Sequence, residues 1–153
     1  MQIIKKLSTY KTTADNQVDI SHVNYMGNTP VMLFYLKQYI ELNEVGLAHP
    51  VLNAGNNSSA VFATIGKKVV GVIVYKFDED PLKTTWKILS AVDSADRGQG
   101  IYKAMHGELE KYAKSVGSRK IASNVHLNNK PAQEGNRSVG VIPVWYKMEK
   151  SIG

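Results

Sequence analysis

Asp93-Ser94-Ala95-Asp96-Arg97-Gly98-Gln99-Gly100-Ile101-Tyr102 joins two segments of different periodicity. Before it, residues 84–92 read as a strand, with Trp86, Ile88 and Leu89 as apolar positions. After it, Ile101, Met105, Leu109, Tyr112 and Val116 recur at steps of four, four, three and four. That spacing marks one face of a helix and predicts one over 98–116, closed by Gly117. Lys103, His106, Glu110, Lys111 and Lys114 fall on its other faces. A chain entering a helix through two glycines turns tightly. It also presents amides that have no intrahelical partner. With the helix dipole these form an anion site, and Arg97 adds a charge. The same Gly-x-Gly also serves as a plain strand-to-helix connection, and spacing alone leaves both readings open. No Gly-Lys-Ser/Thr follows and a third glycine is missing, so neither the nucleotide-hydrolase phosphate loop nor the dinucleotide fingerprint is present.

Further out, residues 2–12 read as an opening strand, while 15–28 are ambiguous up to the terminator Met26-Gly27-Asn28. Residues 29–46 predict a helix capped by Thr29, with Pro30 in its first turn and Val31, Tyr35, Leu36, Tyr39, Ile40 and Leu42 as its apolar stripe. Residues 53–59 are polar loop. Ala60–Ile65 and Val69–Phe77 predict two strands joined by a tight turn at Gly66-Lys67-Lys68. Strand Ile121–Leu127, a short helix over 129–138 and terminal β structure over Val139–Met148 complete the order. The result is an α/β (α+β) domain with a mixed, largely antiparallel central sheet flanked by helices, rather than a doubly wound sheet.

The chain of 153 residues fits one domain, 1–153, with a core that needs no staples. It has no cysteine, which excludes disulfides, zinc–cysteine sites and thiol nucleophiles. Its histidines, His22, His49, His106 and His126, do not stand at metal-ligand spacing, so no metal site is expected. No signal-peptide pattern opens the chain and no run is long enough to span a bilayer, which leads to the expectation of a cytoplasmic protein without a membrane partner. The net charge of +6 attracts polyanions, but the densest basic runs are the pairs Lys5-Lys6, Lys67-Lys68 and Arg119-Lys120. That is no compact nucleic-acid patch.

Ala95 to Tyr102 resembles the pyrophosphate loop of the GCN5-related N-acetyltransferases (GNAT), Gln/Arg-x-x-Gly-x-Gly/Ala. A second family pattern, Asn, Ala three on, Tyr seven on and Gly-Phe eleven and twelve on, is similar to Asn129, Ala132, Asn136 and Gly140-Val141. The resemblance covers about residues 60–150. It departs at Ala95 and at Asn136, where the family's usual proton-donating tyrosine is missing. Little chain remains after Gly140 for the last strands.

The resemblance implies a GNAT-like fold and an enzyme that transfers an acetyl group from acetyl-CoA to a primary amine by direct attack. The acetyl-CoA part spans about 60–150 and the acceptor side about 13–59. Backbone of Ala91 and Val92 is expected at the pantetheine. Amides of Arg97, Gly98, Gln99, Gly100, Ile101 and Tyr102 are expected at the pyrophosphate, and Asn129 on the other side. His126, at the end of its strand, and Glu41 or Glu44 are candidate bases; Tyr146 is a candidate acid. The acceptor is a small molecule, a protein amine or a modified nucleobase, and a homodimer is one assembly open to the chain. Two alternatives stand beside this reading: a non-catalytic CoA- or partner-binding member, and a basic nucleic-acid-binding module.

Overall fold

A computed structural model describes residues 1–48, 55 and 57–153. Asn53, Ala54 and Asn56 of the expected loop, together with His49, lie outside the described residues. Six strands form one sheet: β1 (Ile4–Lys11), β2 (Gln17–Val23), β3 (Ser59–Ile65), β4 (Lys68–Asp78), β5 (Thr84–Val92) and β6 (Lys120–Ser123). They lie side by side in chain order. β1 to β5 pair antiparallel, and β6 joins β5 parallel. Parallel pairing needs a crossover, which α2 (Ile101–Ser115) supplies; α1 (Pro30–Glu44) and α3 (Lys130–Ser138) are the other helices.

Alternation along the strands sends successive side chains to opposite faces. Ala60, Phe62, Val72, Val74 and Leu89 pack with Val31 and Tyr35 of α1. Val61, Ala63, Val70, Ile73 and Tyr75 pack with Ile101, Met105 and Leu109 of α2. The sheet is thus buried on both faces, which explains the continuous β-branched run of β4.

Several expectations need correction. The ambiguous stretch at 15–28 contains β2, whose polar Ser21 and His22 are buried and obscure the strand pattern. α2 begins three residues later than expected, because Gly98 and Gly100 hold left-handed φ values of 77° and 78°. β6 stops at Ser123. The terminal strand is absent: residues 141–153 form no regular element, and Trp145 and Tyr146 are 90% and 81% exposed. Thr29 does precede α1, but its hydroxyl donates back to the Met26 carbonyl at 2.7 Å instead of capping the helix. Of the α1 stripe only Val31 and Tyr35 are fully buried, while Leu36 and Ile40 are exposed.

Candidate functional site

The β5–β6 ladder is short. Thr84 to Lys87 pair with Lys120 to Ser123, and there β6 ends. At the same place β5 carries a bulge. Val74 of β4 faces Leu89 and Tyr75 faces Lys87, so Ile88 is the extra residue. A bulge bends its strand and raises its twist. From Ile88 to Val92, β5 therefore keeps β4 on one side and, among the described residues, has no strand on the other. The two parallel strands part at Lys87, and the open edge leads straight to the loop at 93–100.

That loop is fixed at both ends. Asp93 donates its amide to the Val70 carbonyl at 2.8 Å, and its carboxylate accepts from the Ala95 amide at 3.2 Å. Arg97 Nε donates to the Val92 carbonyl at 3.0 Å. The first intrahelical bond of α2 runs from the Ala104 amide to the Gly100 carbonyl at 3.0 Å. The amides of Ile101, Tyr102 and Lys103 precede it and find no carbonyl in their own helix. A Cβ built on Gly98 or Gly100 would meet no atom within 4 Å, so open space lies before the turn. A hollow of about 360 Å³ occupies it, lined by Val92, Asp96, Arg97, Gly98, Gly100, Ile101, Tyr102, Lys103 and Ser138.

This hollow suits a phosphorylated ligand. The helix terminus offers donors and a positive dipole end, and Arg97 and Lys103 outnumber Asp96. Gln99, expected among the cofactor contacts, is not among the residues that line the hollow; its side-chain Oε1 is buried without a hydrogen-bond partner.

The expected cofactor residues divide. Val92, Arg97, Gly98, Gly100, Ile101 and Tyr102 converge on the hollow. Ala91 faces the α1 side of the sheet and packs against that core. Asn129 is the cap of α3, its Oδ1 accepting from the Ala132 amide at 3.2 Å. The expected proton carriers do not line the hollow. His126 is exposed in the turn after β6, not at a strand end, and its Nδ1 accepts from the Asn128 amide at 3.0 Å. Glu41 and Glu44 are exposed on α1. Tyr146 stands in the irregular terminal segment.

Two residues escape the sequence reading. Lys87 is 3% exposed; its Nζ donates to Tyr102 Oη at 2.8 Å and to Asn136 Oδ1 at 2.6 Å. Burial draws its pKa down to about 8, with Glu110 opposing. Burial likewise pushes the Tyr102 phenol up to about 12. His106, assigned from sequence to an outer face of α2, is 1% exposed, and neither ring nitrogen has a partner. Burial, seconded by the Lys87 charge, lowers its pKa to about 4. The one signal for Lys87 is a charge inside the otherwise apolar run Trp86-Lys87-Ile88-Leu89.

Solved structures share the fold. None of the curated proteins matches the sequence. A ribosomal-protein-alanine N-acetyltransferase from Brucella melitensis biovar Abortus 2308 superposes with a TM-score of 0.64 at 16% identity, covering 89% of this chain and 99% of that one. An aminoglycoside N-acetyltransferase in complex with CoA gives 0.63 at 14% identity, covering 95% and 97%. An aminoglycoside acetyltransferase from an uncultured soil metagenomic sample gives 0.61 at 17%, covering 86% and 97%. At such identities these likenesses show the fold. The sequence itself matches the acetyltransferase (GNAT) family over residues 29–134, more than half of its length. The chain belongs to the acetyltransferase (GNAT) family.

Proposed function

We propose that this enzyme transfers an acetyl group from acetyl-CoA to a primary amine. The observation that carries the reading is the hollow at the start of α2, where free helix amides, left-handed Gly98 and Gly100, Arg97 and Lys103 meet at the end of an unpaired strand edge. The pyrophosphate sits on the loop, and the main chain of Ile88–Val92 faces the pantetheine arm. When bound, acetyl-CoA supplies the thioester that the amine attacks. An alkylammonium with a pKa near 10.4 is neutral in only about one molecule in a thousand at pH 7, so its proton must be removed. We assign that removal to water in the cleft mouth, with Glu41 on α1 as an acceptor further out and His126 outside the relay. His126 Nδ1 already accepts a backbone hydrogen bond, which places the ring proton on Nε2 and leaves that nitrogen a donor.

The charge balance of the chain orders the acceptors. A chain of net charge +6 repels polycations, so a protein or nucleobase amine ranks above an aminoglycoside. Incubation with labelled acetyl-CoA, a panel of amines, peptides and nucleic acids, and mass spectrometry of the acceptors tests the reading. Labelled acceptor with stoichiometric thiol release is the expected result. Absence of thiol release with every acceptor, in a chain whose melting temperature does rise with CoA, would leave a binding protein in place of an enzyme.

A further inference from the structure

Lys87 is a cation built into the fold with no ion-pair partner among the described residues; the exposed Glu110 acts on it only from further along α2. Tyr102 Oη and Asn136 Oδ1 are both neutral acceptors. An ammonium has three N–H donors; among the described residues the third has no acceptor, and no carboxylate forms an ion pair with it. A buried unpaired charge costs several kcal/mol, and an apolar side chain of similar length would pack there at lower cost. The position is also specific. Lys87 and Ser123 are the last paired residues before β5 and β6 part. Asn136 spans both strands, accepting from Lys87 and, at 3.4 Å, from Ser123 Oγ. Tyr102, which holds the ammonium, is itself a wall of the hollow. The open edge Ile88–Val92 runs from the loop back to this point. A donor anchored at the loop and lying along that edge would bring its thioester towards Lys87.

We propose that Lys87 is the acid of the transfer, giving its proton to the departing sulfur. The inference rests on the acetyltransferase function proposed above. The amine nitrogen bonds to the acyl carbon, the C–S bond breaks with its electron pair on sulfur, and sulfur takes the Lys87 proton. The surplus amine proton leaves to water, and Lys87 regains a proton from solvent. The groups facing the ammonium are Tyr75 from β4, Tyr102 and His106 from α2, Asn136 from α3 and Ser123 from β6, with exposed Glu110 further along α2. The phenols and His106 are neutral near pH 7, so none takes the proton in place of the sulfur. A donor at about 8 matches a thiol of about 8.5, which favours transfer in the transition state.

The test compares wild type, Lys87→Met and Lys87→Arg with acetyl-CoA and with an acetyl thioester of a more acidic aryl thiol. Arginine keeps the charge but cannot release a proton. With acetyl-CoA, both variants are expected to lose about 100-fold in kcat. KM for acetyl-CoA and the CoA-induced rise in melting temperature should stay within about threefold of wild type, because Lys87 does not hold the pyrophosphate. With the aryl thioester the loss should shrink to about tenfold or less, since that thiolate leaves unprotonated. The wild-type kcat should fall above pH 8, and this limb should vanish in both variants. Equal losses with both thioesters, a loss confined to KM, or full activity in Lys87→Arg would each overturn the assignment. A wild-type chain that turns over neither thioester would overturn the transferase reading itself; turnover unchanged by Lys87→Met would overturn this inference alone.

Discussion

Arg97 Nε donates to the carbonyl of Val92 at 3.0 Å, tying the turn before α2 to the last residue of β5. One N–H thus orients the guanidinium, and the remaining donors of its fork stay free for a ligand at the hollow. Lysine at this position cannot hold the turn and offer a planar fork together. Arg97→Lys should weaken CoA binding about tenfold and Arg97→Ala more, the range for hydrogen bonds to charged groups. Calorimetric titration with CoA checks this; an unchanged Kd in Arg97→Ala would remove the residue from the site.

Gly98 and Gly66 share a left-handed backbone, with φ of 77° and 60°, but only Gly98 lines the hollow. Gly98→Asp and Gly66→Asp should therefore lose similar stability, about 1–2 kcal/mol each. Only Gly98→Asp should abolish the CoA-induced rise in melting temperature, because it puts bulk and negative charge before the helix terminus. Loss of the rise in both variants, or in neither, would break the assignment.

His106 sets a pH dependence of stability. Its pKa is about 4 when folded and about 6.5 when unfolded. Between those values the unfolded chain binds the extra proton, so stability falls as pH drops from 6.5 towards 4 and is flat above. At about 1.4 kcal/mol per unit the full loss is about 3 kcal/mol. His22, also lowered by burial, steepens the same window. His106→Met should remove most of the slope in urea melts at stepped pH. An unchanged slope would place the proton uptake elsewhere.

The terminal segment contributes little to the fold. Ile142, Val144, Trp145, Tyr146 and Met148 are all at least 68% exposed. Removing residues 143–153 should leave stability within about 0.5 kcal/mol, as for surface changes generally. Tyr146→Phe should leave kcat unchanged. A large drop in kcat for Tyr146→Phe with unchanged stability would return the tyrosine to the reaction.

His126→Ala should lower kcat by less than about threefold, since an exposed ring whose Nδ1 already accepts from the Asn128 amide offers no free acceptor nitrogen. Rate profiles with amines of different pKa check this. A neutral-pH limb that disappears only in the variant would make the histidine the base.

Sequence periodicity found β4, β5 and α2 because each has a long, uniform burial pattern. It missed β2, where His22 is buried against Tyr75 and stacks on Tyr112 at 4.3 Å, a polar residue at home in an aromatic niche. It placed a strand on Val139–Met148, where apolar residues alternate, but the segment forms no regular element and its large side chains are exposed. The anion loop was legible because glycines and a helix start are local features. Lys87 and Asn136 lie 49 residues apart, and only the packing of α3 over β5 brings them together.

Under the proposed function, the bulge at Ile88 also sets the terms on which the open edge meets its ligand. A strand flank without a neighbour displays carbonyls and amides at the repeat of a β ladder, and an amide-containing chain can complete it. Selectivity for such an arm is then written in main-chain geometry rather than in side-chain identity. Exchanging Ala91 or Ser90 for another strand-forming residue leaves the pattern legible to the ligand, whereas a proline in that stretch erases a donor that no side chain can restore.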